Sequence, residues 1–439
     1  MRKNFTWMWL LFGLCDKLQV VASLSISEIG VLIAGPIIVA THYNQMRRDG
    51  VAVFFWMAIL LVAGCAVSCV CNHTEFAAAL RGMATTCIIA CTIPTVYWLL
   101  RNDPGGFKWY IFGAAISVVL CTFIFKRSVE ISKLESQGYQ ASAADVMSGP
   151  LFWIERVSAF VTVLPRGWFL QTPWAYSLFA PFSLAAFAML TSSSGRSSAL
   201  SAMGSAFLVA IGGKKQSKMN RVGRNFYLLL LFAVGGVLLL HMAYKFSAKS
   251  GLLGEDAQKK YEIQTRGGTS IGRLLLGGRA ESFAGLFACA DRPFVGFGPW
   301  AMDYGGYYGE FLAHFGDWDD LMQYDKNRQM GGLCMIPCHS HITEFWLWYG
   351  AFGLLFWLYV LFVIFRFLKQ DSAAVPQWYF WLVCGMPGVC WNIFFSPFAS
   401  RTTIITFITA CLVARAFRRG SIRLPLKMMK EIWRVENGG

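Results

Sequence analysis

The chain contains 439 residues, of which 56% are hydrophobic and only 14% are charged. Soluble domains average about 45–50% apolar residues, so a soluble fold would have to expose large apolar patches, and a disordered chain requires the opposite bias. The formal net charge of +15 does not indicate a nucleic-acid partner, because the basic residues form short clusters between apolar segments. The composition therefore predicts a helical integral membrane protein.

Apolar runs long enough to cross a bilayer predict an all-α polytopic fold with about twelve transmembrane helices. The predicted spans are 5–24, 26–41, 51–71, 83–100, 107–125, 151–170, 174–190, 197–213, 224–243, 340–366, 376–396 and 401–417. Five parts follow from this pattern: N-terminal helices (1–173), helices around a Ser/Arg hinge (174–243), a large segment between spans (244–338), C-terminal helices (339–417) and a basic tail (418–439).

Basic clusters predict how these spans are oriented. Arg47 and Arg48, the cluster in 214–224, and Arg366 fall on the side that the positive-inside rule assigns to the cytoplasm. The basic residues of 126–133 fall on the opposite side and disagree with this orientation. The segment 244–338 then lies outside the cytoplasm, with ten Lys/Arg balanced by eleven Asp/Glu.

A polar hinge at 191–196 separates two predicted spans and ends at Arg196. An arginine at a membrane boundary is often an interfacial residue that extends to water. Alternatively, the hydroxyl of Ser194, a flexible glycine and a helix N-terminus beside a guanidinium group form an anion site.

Arginines recur in the large segment, at Arg266, Arg279 and Arg292. Their planar guanidinium groups bind phosphate oxygens with two parallel hydrogen bonds. The glycines of 296–298, which follow Arg292, allow the backbone to approach a ligand closely. Alternatively, these arginines are solvated or form ion pairs with nearby carboxylates such as Asp291, and the sequence favours neither interpretation.

Two histidines, His339 and His341, lie at the start of the apolar run 340–366. Histidine exchanges protons near neutral pH and suits a general base, although a histidine here can also cap a helix or hydrogen-bond locally. With Cys334 and Cys338, the two histidines could instead bind a metal ion, and a disulfide among Cys289, Cys334 and Cys338 is an equal alternative. The sequence contains no phosphate-binding or dinucleotide-binding glycine motif, so no nucleotide or redox cofactor is expected.

Three motifs together resemble those of bacterial O-antigen ligases. His339 and Ser340 are followed, after nine residues, by Gly350 and Gly353, which is similar to the histidine signature of that family. The arginine segment at 278–299 and the hinge at 191–196 resemble two further family motifs, although the hinge contains an additional glycine. The resemblance covers residues 174–366. Related polymerases and protein glycosyltransferases belong to the same superfamily.

The resemblance implies transfer of a glycan from undecaprenyl diphosphate to an acceptor hydroxyl on the periplasmic face of the bacterial inner membrane, without a cofactor or a metal. It implies His339 as the base, and Arg196, Arg266, Arg279 and Arg292 as ligands of the diphosphate. It implies supporting roles for Ser194, Ser340, Gly350 and Gly353. Membrane lipids are expected to surround the spans.

The acceptor expected from this resemblance is lipid A–core, and the alternative is a growing glycan, as in a polymerase of the same fold. A transporter or flippase is a third possibility. It would need ionisable residues deep inside spans, and candidates such as Asp16, Glu28 and Arg81 occur singly and near span ends.

Overall fold

The computed structural model describes residues in the N-terminal third, in 280–368 and near the C-terminus. The described residues are 5–16, 18–21, 24–107, 109, 110, 112–114, 116, 117, 246, 250, 280–315, 318–329, 332, 335–338, 340–368, 382, 386, 389–395 and 401–422. The spans predicted within 151–243 lie outside them.

Three helices of the described residues are long and apolar enough to cross a membrane. They are α2 (Ile26–Asp49), α3 (Ala52–Cys71) and α4 (Phe76–Asn102), preceded by α1 (Thr6–Leu14). A helix of about 20 residues spans about 30 Å, the thickness of the hydrocarbon core. Large apolar side chains such as Ile33, Trp56 and Val70 are exposed on these helices, as expected for surfaces that contact lipid. The protein is therefore a helical membrane protein.

The prediction of a membrane span over 5–24 is wrong. Helix α1 ends at Leu14, and the chain then forms a two-stranded antiparallel hairpin, β1 (Gln19–Val21) and β2 (Leu24–Ser25), which departs from an all-α fold. Ser25 begins α2 through a capping box: its Oγ accepts from the Glu28 N–H (3.2 Å), and the Glu28 carboxylate accepts from the Ser25 N–H (2.8 Å). Capping ends the hairpin and starts the helix.

Helix α4 is the centre of the described bundle, and it packs against α2, α3 and the C-terminal helix α10 (Arg401–Arg418). Gly35 allows α2 to approach α4 closely, because a Cβ atom at position 35 would lie 2.7 Å from the Cβ of Cys91. Small residues at such contacts are typical of helix pairs in membranes.

Buried polar contacts tie the ends of these helices together. Asp16 accepts hydrogen bonds from the hydroxyl groups of Thr402 and Thr403 at the start of α10. Near the other end of the bundle, Asp49 pairs with Arg101 and accepts a hydrogen bond from the Tyr97 hydroxyl at 2.7 Å. Partnered carboxylates of this kind avoid the cost of an uncompensated buried charge.

The large segment between the spans contains three helices among its described residues: α5 (Ala280–Asp291), α6 (Tyr307–Phe315) and α7 (Trp318–Gln329). Two further helices follow, α8 (His341–Tyr349) and α9 (Ala351–Arg366), where the sequence predicts one span over 340–366. That prediction is wrong because the backbone turns at Gly350 (φ 60°, ψ −143°). Helix α9 packs antiparallel to α3, with the rings of Phe54 and Phe356 stacked 5.7 Å apart.

Candidate functional site

The structure describes four of the nine residues assigned to the site from the sequence: Arg292, Ser340, Gly350 and Gly353. The other five lie outside the described residues, and their roles remain predictions. These five are Ser194, Arg196, Arg266, Arg279 and His339.

Residues 291–299, which we call the Arg292 loop, lie directly against the junction of α8 and α9. Three backbone hydrogen bonds join them: the N–H of Phe297 donates to the Leu347 carbonyl (2.7 Å), and that of Gly298 donates to the Trp348 carbonyl (3.1 Å). In the other direction, the N–H of Ala351 donates to the Phe294 carbonyl (3.1 Å). Two motifs recognised separately in the sequence are therefore neighbours in the fold.

Glycines permit this close contact. A Cβ atom at Gly350 would overlap the Phe294 carbonyl group, and one at Gly296 (φ +73°) would lie 2.6 Å from the Leu347 carbonyl oxygen. A Cβ atom at Gly353 would overlap the carbonyl oxygen of Phe345. Both glycines let backbone segments pack without side chains between them, and their predicted supporting roles in the site stay predictions.

The end of helix α3 supplies two polar residues that no sequence motif indicates. The Ser68 hydroxyl donates to the Trp348 carbonyl at 2.7 Å, and the Asn72 side-chain amide donates to the Gly296 carbonyl at 3.1 Å. The oxygen of the same amide accepts a hydrogen bond from Nη1 of Arg292. A polar residue at the end of an apolar span has no distinctive sequence pattern, so only the fold reveals these contacts.

Arg292 is exposed, and its guanidinium carbon lies 4.9 Å from the centroid of the Phe297 ring. Cation–π contacts of this kind hold a guanidinium group against an aromatic face. The carboxylate of Asp291 accepts a hydrogen bond from the Tyr307 hydroxyl at 2.7 Å. The positive group therefore lies at the surface beside α3 and has the chemistry to bind an anion.

Ser340 and His341 are both buried. Ser340 is the N-cap residue of α8: its Oγ accepts from the Thr343 N–H at 3.3 Å and donates to the Ile393 carbonyl at 3.0 Å. The His341 ring is 1% exposed and lies 5.1 Å from the centroid of the Trp357 ring. Ser340 thus starts helix α8, and His341 is part of the packed interior.

Cys289 is a buried free thiol whose Sγ donates to the Thr343 carbonyl at 3.8 Å. Burial raises the pKa of this thiol to about 12, which disfavours the nucleophilic thiolate. Cys289 forms no disulfide in this structure, and Cys334 lies outside the described residues, so the disulfide alternative is not tested further. Among the described residues no group of three or more His, Cys, Asp or Glu side chains is arranged to hold a metal ion, but Cys334 and His339 lie outside them, so the metal hypothesis is untested.

Asp303 organises the neighbouring helices α6 and α7. Its carboxylate is 1% exposed and accepts from the N–H groups of Tyr307 (2.8 Å) and Tyr308 (3.0 Å) and from the Tyr324 hydroxyl (2.8 Å). Burial, together with Asp291, raises the pKa of Tyr307 to about 12, and burial with Asp303 does the same for Tyr324. These hydroxyls are therefore hydrogen-bond donors at neutral pH.

Comparisons with protein-family profiles, with curated proteins and with solved structures find no match to this chain.

Proposed function

We propose that the protein is a membrane glycosyltransferase that moves a glycan from undecaprenyl diphosphate to an acceptor hydroxyl. The observation that supports this proposal is the packing of the Arg292 loop against Gly350. An exposed guanidinium group thereby lies at the end of a membrane helix, beside the segment that carries the histidine motif. This arrangement offers one cationic group, that of Arg292, to a lipid-linked diphosphate at the membrane surface.

In the proposed reaction, the acceptor oxygen attacks the anomeric carbon of the glycan while the bond from that carbon to the diphosphate oxygen breaks. The proton of the acceptor hydroxyl passes to His339, and undecaprenyl diphosphate leaves. Arg292, with Arg196, Arg266 and Arg279, stabilises the negative charge that develops on the leaving group, because fixed guanidinium groups need no reorganisation during the reaction.

The membrane arrangement that we propose has many spans in the bacterial inner membrane, with 244–338 in the periplasm. Helices α2 and α4 support this orientation, since both carry basic residues in their last turns, Arg47 and Arg48 in α2 and Arg101 in α4. Helix α9 likewise ends at Arg366. Arginines concentrated at one end of several spans mark the cytoplasmic side.

The preferred acceptor is lipid A–core, which makes the protein an O-antigen ligase. Deleting the gene in its bacterial host distinguishes this acceptor from a growing glycan. A ligase mutant accumulates long polysaccharide on undecaprenyl diphosphate, whereas a polymerase mutant attaches single repeat units to lipid A–core. Unchanged surface polysaccharide and unchanged lipid-linked glycan in the deletion strain would contradict both assignments.

A further inference from the structure

Asn72 joins the end of helix α3 to the Arg292 loop through both ends of its side-chain amide. Its Nδ2 donates to the Gly296 carbonyl at 3.1 Å and to the Ser68 carbonyl at 2.8 Å. Its Oδ1 accepts from Nη1 of Arg292. A single side chain thus connects a membrane helix, the loop backbone and the guanidinium group.

Two contacts restrain the guanidinium group of Arg292. Asn72 takes a hydrogen bond from one terminal nitrogen, and the Phe297 ring lies 4.9 Å from the guanidinium carbon. Arginine has five N–H donors, so several remain for a ligand at this exposed position. Restraint before binding reduces the entropy lost when a long, flexible side chain is immobilised by a ligand.

We propose that Asn72 is a positioning residue that orients Arg292 toward the diphosphate of the lipid-linked donor. The identity of the anion rests on the proposed function, whereas the orienting contact comes from the structure. An uncharged amide suits this role because it fixes the guanidinium group without neutralising its charge. A carboxylate at position 72 would pair with the guanidinium group and compete with the anion.

Binding of undecaprenyl diphosphate without a glycan tests this inference independently of transfer. Microscale thermophoresis on the purified full chain in nanodiscs would compare the wild type, Asn72→Ala, Arg292→Ala and the double variant. The matched control is Ser68→Ala, which removes the 2.7 Å hydrogen bond to the Trp348 carbonyl and a 3.3 Å hydrogen bond from Nδ2 of Asn72. The two carbonyl acceptors of Nδ2 and the Asn72–Arg292 contact are kept. Thermal unfolding of each variant would report folding.

We expect Asn72→Ala and Arg292→Ala each to weaken binding about tenfold, the effect of losing one hydrogen bond to a charged group. The double variant should bind no more weakly than Arg292→Ala, because Asn72 acts through that arginine. Ser68→Ala should bind like the wild type. If Asn72→Ala does not fold, Asn72→Gln serves instead: it keeps the amide, moves it by about 1.5 Å, and should also weaken binding.

Three results would overturn the inference: wild-type binding by both Asn72 variants, losses that multiply to about a hundredfold in the double variant, or no binding by the wild type. Failure of the proposed function has a different signature. In that case the lipid diphosphate binds with the expected pattern, but the wild type transfers no glycan from the loaded donor.

Discussion

Gly350 lies against the carbonyl group of Phe294 so closely that a Cβ atom at position 350 would overlap it. This contact joins the break between helices α8 and α9 to the loop that carries Arg292. A residue with a side chain at this position must therefore move the loop, the helix junction or both. The site geometry depends on the absence of a side chain at position 350.

Gly350→Ala should destabilise the protein more than Gly50→Ala. Both glycines have positive φ, 60° and 79°, but nothing lies within 4 Å of a Cβ atom at position 50. The control substitution carries only the strain of the left-handed region, about 1–2 kcal/mol. Gly350→Ala meets a backbone conformation that is almost restricted to glycine and adds an overlap of a kind that costs about 1–3 kcal/mol. Thermal unfolding in detergent measures both variants, and equal losses of stability would contradict the packing described here.

The break between helices α8 and α9 at Gly350 cannot be predicted from the sequence. Apolar length alone predicts α3 almost to the residue, as 51–71 against Ala52–Cys71, because a membrane span must contain about 20 apolar residues. The apolar run at 340–366 continues through Gly350, so hydropathy contains no signal for a backbone turn there. Glycine occurs in helices and in turns. The residue that contacts this turn, Phe294, is distant in sequence.

The sequence also does not predict contacts between polar residues that are far apart along the chain. The chemistry of arginine indicates Arg292 as a phosphate ligand, but its partner Asn72 is 220 residues away. The apolar run predicts a span over 5–24, which includes the hairpin at 19–25, because apolar residues suit a strand as well as a helix. Sequence patterns report local burial well, whereas pairings across the fold depend on how the helices pack.

Ser340→Ala should lower stability by about 1 kcal/mol, the usual cost of losing an N-cap, with a further loss from the hydrogen bond to the Ile393 carbonyl. Ser340→Thr keeps the hydroxyl group and serves as the control. Glycan transfer per folded molecule should stay close to that of the wild type in both variants. An alanine variant with unchanged stability but no transfer would show instead that the hydroxyl group takes part in the chemistry.

Alkaline pH should loosen the helices around Asp303. Because the pKa values of Tyr307 and Tyr324 are raised to about 12 in the folded protein, their contribution to stability is complete below the unfolded value of about 10. It is lost as the pH rises through about 12, since the unfolded state then binds fewer protons. Thermal unfolding at several alkaline pH values measures this loss, and tyrosinate absorbance during an alkaline titration follows the ionisation itself.

Replacing Asp303 by Asn provides the control for that titration. The substitution removes the negative charge beside Tyr324, so its pKa should fall toward the ordinary tyrosine value, although burial continues to raise it. The signal of Tyr307 should change less, because its hydroxyl donates to Asp291. Identical titration curves for the wild type and Asp303→Asn would contradict the hydrogen bond between Tyr324 and Asp303.

His339→Ala should reduce glycan transfer by about 10²–10⁴-fold, the usual contribution of a positioned base, while binding of the lipid-linked donor is kept. His341→Ala should act differently, because that ring is 1% exposed and packs against Trp357. Its main effect should be a lower melting temperature. A His339→Ala enzyme with the normal rate, or wild-type activity lost to EDTA and restored by Zn²⁺, would count against a metal-free base.

The most direct measurement of the central claim is glycan transfer by the purified full chain in proteoliposomes. Undecaprenyl diphosphate loaded with a polysaccharide is the donor, and lipid A–core or a second loaded donor is the acceptor. Our account predicts a product of higher mass on lipid A–core, release of undecaprenyl diphosphate, and a strong reduction of both by Arg292→Ala but not by Ser68→Ala. Absence of transfer to either acceptor by correctly folded wild-type protein would contradict it.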